Sequence, residues 1–520
     1  MNQLLYASIL LLFLSGLIGC QPADSTDSSS SPSVPNIVLI LADDMGYGDI
    51  QQYNPASTIP TPHLNQLCQE GMMFRDAHTP SSVCTPTRYG LLTGRYSWRS
   101  RLKKFVLSGY SPHLIEKDRQ TIASLLQSQG YETAVVGKWH LGLDWAWDEN
   151  GFPEKGDQLG FVPEPDAIDY SQAVTAGPVQ NGFDYSYVIP ASLDIPPYVY
   201  LENNQVVGIP DSIYPGSTFP YFIRRGETGA GFEFDKTLYH LTEKAMGFIE
   251  EQSRTEQPFF LYMPLTGPHK PALPHADFAG KSGLGPYADL VMEVDASVGK
   301  IMSTLKERGL SENTLVIYTS DNGSYMYRYE DQEVDHVTDN SKQGYVAKNH
   351  KANKDWRGTK ADIWEAGHRV PFIVRYPGMI EAGSTQDQTI CLTDVLSSVC
   401  ELVGMEYDAG QSEDSYSFLP VLTGGSMNRP PVVHHSVAGM FSLRKDNWKM
   451  IFGNGSGGRQ QPRGELWGKP YQLFNLEADP EENQDLYQTS AADVIMADMT
   501  KKLIRILEQS EGHGVDLEGI

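Results

Sequence analysis

Apolar, β-rich runs alternate with amphipathic helical patterns along most of this 520-residue chain, and that alternation restricts its fold more than any other feature. The run at 36–42 (NIVLILA) is almost uniformly apolar, as a strand covered on both faces must be. A helix is predicted over 61–70, opened by Thr61-Pro62. Strands follow at 133–137, 258–265, 315–320 and 370–376, with helices near 236–252, 286–308 and 393–403. Such interleaving builds an α/β fold, here a large, mostly parallel sheet sandwiched by helices. Beyond about residue 405 the rhythm changes to short strands at 441–444 and 448–452 and a last helix near 491–508. We therefore divide the chain into a large α/β domain at 36–405 and a smaller α+β subdomain at 406–520, with a short antiparallel sheet and a terminal helix. The stretch 141–232 lacks periodicity, but its density of Tyr, Trp and Phe argues for an ordered, functional loop region.

The first 35 residues form a separate class. Residues 4–18 are an apolar run too short and too terminal for a membrane span, and they end in Leu17-Ile18-Gly19-Cys20. This resembles a bacterial lipobox, so 1–19 is read as a lipoprotein-type signal peptide and 20–35, rich in Ser, Asp and Pro, as a flexible tether. The expectation is export to the periplasm or outer membrane, with a lipid on Cys20. A plain secretory peptide with an incidental Cys20 is the alternative, since the first Lys or Arg of the chain is Arg75. Forty basic against 65 acidic residues leave a net charge of -25, which repels nucleic acid and anionic membranes. Membrane contact is thus expected only through the lipid. Cys68, Cys391 and Cys400 lack a close CxxC pairing and are expected as unbridged core thiols.

Chemistry concentrates at the strand ends. Asp43-Asp44 follows the first strand, and Asp321-Asn322-Gly323 follows the strand at 315–320. Ligands in open α/β sheets bind beyond the carboxyl ends of strands. Three carboxylates and an amide are hard oxygen donors suited to Ca²⁺ or Mg²⁺ rather than zinc. A solvated loop or a helix cap is the alternative for either pair alone. Cys84-Thr85-Pro86-Thr87-Arg88 opens a predicted helix, whose unpaired N–H groups favour a tetrahedral anion. Lys138 and His140, after the strand at 133–137, fall on one side by strand alternation.

These segments together resemble the type I, formylglycine-dependent sulfatases of the alkaline phosphatase superfamily, in their arylsulfatase and N-acetylgalactosamine-6-sulfatase branch. That family's signature is Cys-x-Pro-Ser-Arg followed by Leu-Thr-Gly-Arg; this chain has Cys84 to Arg88 and then Leu92-Thr93-Gly94-Arg95, with Thr87 keeping the hydroxyl of the usual Ser. NIVLILADDMGYG at 36–48, GKWHLG at 137–142, GPHKP at 267–271, SDNG at 320–323, KADIWEAGHRVP at 360–371 and the tail YQLFNLEADP at 471–480 match further family segments in order. The resemblance implies an alkaline phosphatase-like fold. It also implies formylglycine (3-oxoalanine) at Cys84, made by a formylglycine-generating maturation enzyme, and one Ca²⁺ held by Asp43, Asp44, Asp321, Asn322 and residue 84. Arg88 and Lys138 would fix the aldehyde hydrate. Lys138, His269 and Lys360 would bind the sulfate, His269 or Lys360 would protonate the departing alcohol, and His140 would take the second hydroxyl's proton.

The substrate implied is a sulfated carbohydrate. Trp145, Trp147, Tyr198, Tyr200 and Trp356 are candidate sugar platforms or loop core. Arg95, Arg99, Arg101, Lys103 and Lys104 are a basic run able to meet further anionic groups, or a solvated face. His240, His434 and His435 belong to no family motif and are structural or substrate-side candidates. The rival functions are a phosphonate or phosphate ester hydrolase of the same superfamily and a non-catalytic, glycan-binding lipoprotein with an unmodified Cys84.

Overall fold

The computed structural model describes residues 34–218, 221–326, 350–487, 489 and 492–509. The expectations for the signal, the tether and Cys20 lie outside these residues. The large sheet has ten strands, numbered in chain order: β1 (Asn36–Asp43), β2 (Met72–Phe74), β3 (Glu132–Lys138), β4 (Tyr185–Ile189), β5 (Tyr200–Glu202), β6 (Gln205–Val207), β7 (Phe259–Pro268), β8 (Thr314–Ser320), β9 (Phe372–Arg375) and β10 (Ser384–Gln386). In space the order is β10-β2-β9-β8-β1-β7-β3-β4-β5-β6. The central block β8-β1-β7-β3-β4 is parallel throughout. Its margins are antiparallel where β9 meets β8 and β2, and where β5 meets β4 and β6.

Strand alternation explains why β1 is apolar at nearly every position. Ile37, Leu39 and Leu41 enter one hydrophobic core, while Val38, Ile40 and Ala42 enter another on the opposite face. Helices Pro62–Glu70, Thr237–Gln252 and Pro286–Glu307 cover the second face with residues such as Leu67, Leu241, Phe248 and Val294. Helices Cys84–Thr93 and Asp394–Leu402 cover the first with Leu91, Leu92, Leu396 and Val399.

The aromatic stretch at 141–232 is ordered by packing. It supplies strands β4 to β6, and Trp145, Ile168, Tyr170 and Phe183 join the core. Near the carboxyl end, β11 (Val432–His435), β12 (Phe441–Lys445), β13 (Trp448–Ile451) and β14 (Gln472–Asn475) form an antiparallel meander. Helix Ala492–Glu508 packs Met499, Leu503 and Leu507 into the same cluster as Val433, Leu443 and Met450. Tyr96 and Trp98, from the chain segment that builds the large sheet, share this cluster.

Candidate active site

Four adjacent strands end at one place. β1 delivers Asp43 and Asp44, β3 delivers Lys138, β7 leads into His269, and β8 leads into Asp321 and Asn322. Asp44 has φ 64° and His140 φ 56°, left-handed turns that few non-glycine residues adopt. The Gly in Asp321-Asn322-Gly323 is required by contact, because a Cβ on Gly323 would lie 1.8 Å from the Ala366 carbonyl oxygen. Helix Cys84–Thr93 points its N-terminus at this convergence, and every one of its residues is buried.

The geometry around residue 84 is tight and charged. Cys84 Sγ lies 3.3 Å from Lys360 Nζ and 3.6 Å from Asp43 Oδ1. Lys138 Nζ donates to Asp43 Oδ2 at 2.8 Å, and Lys360 Nζ to Asp44 Oδ1 at 2.6 Å. Arg88 donates from Nε and Nη2 to Asp321 Oδ2 at 3.0 and 2.6 Å, and from Nη1 to the Lys138 carbonyl at 3.0 Å. Asn322 Nδ2 donates to Asp44 Oδ1 at 2.7 Å. Three buried cations thus face three buried carboxylates, which is what keeps so many charges tolerable away from water.

Protonation follows from these contacts. Burial, reinforced by Asp321, pushes the Cys84 thiol up to about 12, so it is not a thiolate at neutral pH. Burial also raises Asp43, to about 7, against the pull of Lys138. For Asp321 the burial effect is outweighed by Arg88, Lys138 and Lys360, which hold its carboxyl below the usual range. Burial and then Lys138 keep His140 neutral, and burial and then Lys360 do the same for His269. His140 Nε2 lies 2.9 Å from the Leu107 carbonyl, which accepts and therefore fixes the proton on Nε2. Its Nδ1 is left buried with no hydrogen-bond partner. His269 Nδ1 is tied in the same way to the Lys270 carbonyl at 2.5 Å, and its Nε2 faces Asp44 Oδ2 at 3.6 Å.

The donor set fits a hard divalent cation. Asp44 Oδ2 and Asn322 Oδ1 are buried oxygens without a hydrogen-bond partner. Ligand atoms of Asp43, Asp44, Cys84 and His269 all lie within 4.8 Å of one another. Oxygen donors predominate, as calcium prefers.

All ten residues singled out from the sequence converge here: Cys84, His140, His269 and Lys360 line one cavity of about 450 Å³, and Asp43, Asp44, Arg88, Lys138, Asp321 and Asn322 form the buried network bonded to them. Sequence reasoning missed other walls of that cavity, among them Phe105, Asp194, Arg224, Lys270, Arg459 and Arg463. Only Lys270 lies within a quoted motif, the GPHKP segment at 267–271, where it drew no role of its own. Burial and then Arg459 push its ammonium down to about 8.

For most of the remaining candidates the structural alternative holds. Trp145, Tyr198 and Trp356 are buried, Trp147 packs on Phe152, and Tyr200 packs on Tyr187 and Phe232, so these aromatics are core rather than sugar platforms at this cavity. The basic run divides: Arg95 pairs with Glu116 and Glu413, Arg99 with Asp414, and Lys103 donates to the Trp98 carbonyl, whereas Arg101, which donates to the Pro112 carbonyl, and Lys104, which lies over Phe105, are exposed. None of the five lines the cavity at Cys84. His434 stacks on His368 in a buried cluster with His78, His435 bonds Ser97, and His240 bonds Tyr187. Cys68, Cys84, Cys391 and Cys400 are buried free thiols.

A family model described as Sulfatase matches residues 35–405, and one described as N-sulphoglucosamine sulphohydrolase, C-terminal, matches residues 358–509. The N-acetylgalactosamine-6-O-sulfatase of Bacteroides thetaiotaomicron is 32% identical over 513 residues, covering 90% of this chain and 93% of that protein. Arylsulfatase A of Homo sapiens is 30% identical, covering 92% of this chain and 86% of its own length. A solved structure named BT33336S-sulf, from the metabolism of multiple glycosaminoglycans by Bacteroides thetaiotaomicron, superposes with a TM-score of 0.78 at 29% identity, over 91% of this chain and 99% of that one.

Proposed function

Because this chain belongs to the sulfatase family, we propose that it removes sulfate from a sulfated carbohydrate with a formylglycine made from Cys84 as its nucleophile. The observation that carries this reading is the state of Cys84. Its thiol is buried and held protonated, yet Lys360 and Asp43 converge on its sulfur. Such surroundings serve a hydroxyl nucleophile at this position better than a thiol. When oxidised and hydrated, residue 84 offers two geminal hydroxyls, one to attack sulfur and one to expel the sulfate afterwards. Asp43, Asp44, Asp321 and Asn322 would hold a calcium ion, which would supply positive charge to a hydroxyl of residue 84 and to the sulfate.

The chain's own groups then divide the work. Arg88 braces Asp321 and the end of β3, and so orients the acidic cluster beneath residue 84. Lys138 and Lys360 neutralise the sulfate as charge develops on it. Of the two candidates for protonating the departing sugar hydroxyl, Lys360 is the better placed. Although burial lowers its pKa, Asp44 and its anionic neighbours raise it further, so it is an ammonium close to residue 84. His269, by contrast, has its one proton tied to the Lys270 carbonyl and presents a lone pair at Nε2. His140 presents the unpartnered Nδ1 lone pair, suited to taking the proton of the second hydroxyl.

The carbohydrate assignment is supported by the N-acetylgalactosamine-6-O-sulfatase relative and by the glycosaminoglycan context of the superposed structure. Export, lipidation at Cys20 and residence in the periplasm or outer membrane complete the proposal. Among the described residues no helix is long and apolar enough to cross a membrane. Cell fractionation of the wild type and of Cys20→Ser tests the anchor; an unchanged membrane fraction in the variant would sink it. The primary test is the mass of the peptide containing residue 84 from protein made beside a maturation enzyme, paired with sulfate and phosphate release assays. An aldehyde with sulfate release supports the proposal; an intact thiol, or release of phosphate alone, overturns it.

A further inference from the structure

The cavity above Cys84 carries more positive charge than one sulfate needs. Five cationic side chains line it, Arg224, Lys270, Lys360, Arg459 and Arg463, against the single carboxylate of Asp194. Lys360 pairs with Asp44, and Arg224 with Asp194 at 2.6 Å. Lys270 and Arg224 flank one aromatic ring, that of Phe222, with their charges 5.2 and 4.9 Å from its centre. Neither Arg459 nor Arg463 forms an ion pair among the described residues. In a chain of net charge -25, such a concentration of cations in one cavity is not what composition alone produces.

The arginines stand on a rigid platform. Arg459 follows Gly457-Gly458, and a Cβ on Gly458 would meet the Ala361 carbonyl at 2.3 Å and Asp362 Oδ1 at 2.5 Å. The backbone N–H groups of Arg459 and Gln460 donate to Asp362 Oδ1 at 2.5 and 3.2 Å. The loop is therefore clamped to the residues that directly follow Lys360, and the Arg459 side chain is left to face the cavity. Depth also grades the wall: Cys84, His140, His269 and Lys360 are buried at its floor, Lys270 and Arg459 are half-buried, and Arg463 is exposed at the rim.

We infer that Arg459, with Lys270 and Arg463, forms a second anion subsite, and that the sugar substrate carries a carboxylate or a second sulfate in addition to the sulfate that is removed. The inference deepens the sulfatase reading and rests on it. Guanidinium groups suit both kinds of anion, since each presents paired oxygens.

The test uses full-length matured enzyme, wild type, Arg459→Gln and Arg463→Gln. Arg459→Gln keeps the backbone N–H contacts, and thermal melting checks that the fold is intact. Four probes are compared: 6-sulfated N-acetylgalactosamine, the same sugar linked to a uronic acid, its 4,6-disulfated form, and a small neutral aryl sulfate. Wild type is expected to favour one of the two doubly anionic sugars, which identifies the anion. Arg459→Gln is expected to raise KM for that sugar about 10- to 100-fold with kcat little changed. The aryl sulfate KM should not move. Equal wild-type kcat/KM for the singly and doubly anionic sugars, or an Arg459→Gln loss that is the same on the aryl sulfate, overturns the subsite. If wild type released no sulfate from any probe, the functional reading would fall, and calorimetric binding of the doubly anionic sugars would still decide: weaker binding by Arg459→Gln supports the subsite and unchanged affinity refutes it.

Discussion

Lys360 sits between Asp44 and the sulfur of residue 84, and its proposed role as proton donor has a kinetic signature. Lys360→Met should lower kcat on a sugar sulfate by about 10²- to 10⁴-fold. An aryl sulfate has a better leaving group and needs less protonation, so its kcat should fall much less. Equal losses on both would show that Lys360 only binds. His140→Gln, which removes the Nδ1 lone pair, should instead let a sulfated enzyme intermediate accumulate, detectable as added mass on the residue 84 peptide. At this scale the sequence was legible wherever a residue stood at a strand end or helix start, as Asp43, Asp321 and Cys84 do. Arg95 and Arg99 were hard to read because Glu413 and Asp414, which bind them, lie more than 300 positions downstream. Trp145 and Tyr198 stayed open between platform and core because an aperiodic segment looks alike whether its aromatics face a ligand or a core; they are core. Arg459 carries no motif, and only the tertiary clamp on Asp362 brings it to the cavity.

Among the elements, helix Pro286–Glu307 carries a titratable group whose effect on stability has a definite sign. Burial pushes Glu293 from its ordinary 4.5 up to about 7, partly opposed by the His275 N–H that it accepts at 2.8 Å. A carboxyl with a raised folded-state pKa stabilises most below its unfolded value, and that contribution is lost as pH rises through about 7. Glu293→Gln keeps the acceptor and removes the ionisation. The variant should therefore melt above wild type at pH 8 and gain no such advantage at pH 4; a constant difference across that range would refute the assignment. The elements themselves were mostly predictable, since helices Thr237–Gln252 and Asp394–Leu402 lie within one or two residues of their sequence-based bounds. What periodicity could not show is that β9 runs antiparallel to β8, because strand direction depends on the path between them and leaves no mark on either strand.

For the molecule as a whole, the large sheet and the carboxyl-terminal meander share both a core and a cavity. Tyr96 and Trp98 sit in the meander's cluster, while Gly457, Arg459 and Arg463 wall the cavity above Cys84. A chain cut after residue 405 should consequently be insoluble or unfolded, rather than a free-standing, weaker enzyme; a soluble, cooperatively melting fragment would contradict this. Divalent metal should act at the same scale. The orphaned oxygens of Asp44 and Asn322 belong to residues just beyond the ends of adjacent β1 and β8, so a cation bound to both would tie the two strand ends together. Calcium at 100 times its Kd should add about 2.7 kcal/mol of stability over chelator-treated protein, read as a rise in Tm. No calcium-dependent rise would remove the metal from the proposal.

The burial of helix Cys84–Thr93 also sets a timetable. On the proposed maturation, an enzyme that oxidises residue 84 would have to reach it while the polypeptide is still open around it, so oxidation would have to win a race against collapse. Part of the remaining wall is synthesised late, with Lys360 and Arg459 hundreds of residues after Cys84, and this lengthens the interval in which the thiol is reachable. Refolding a purified, unmodified chain would close that interval and leave an intact but silent protein. On that proposal, how fast a host folds this chain, as much as whether it owns the oxidising enzyme, would decide what fraction of the product is alive.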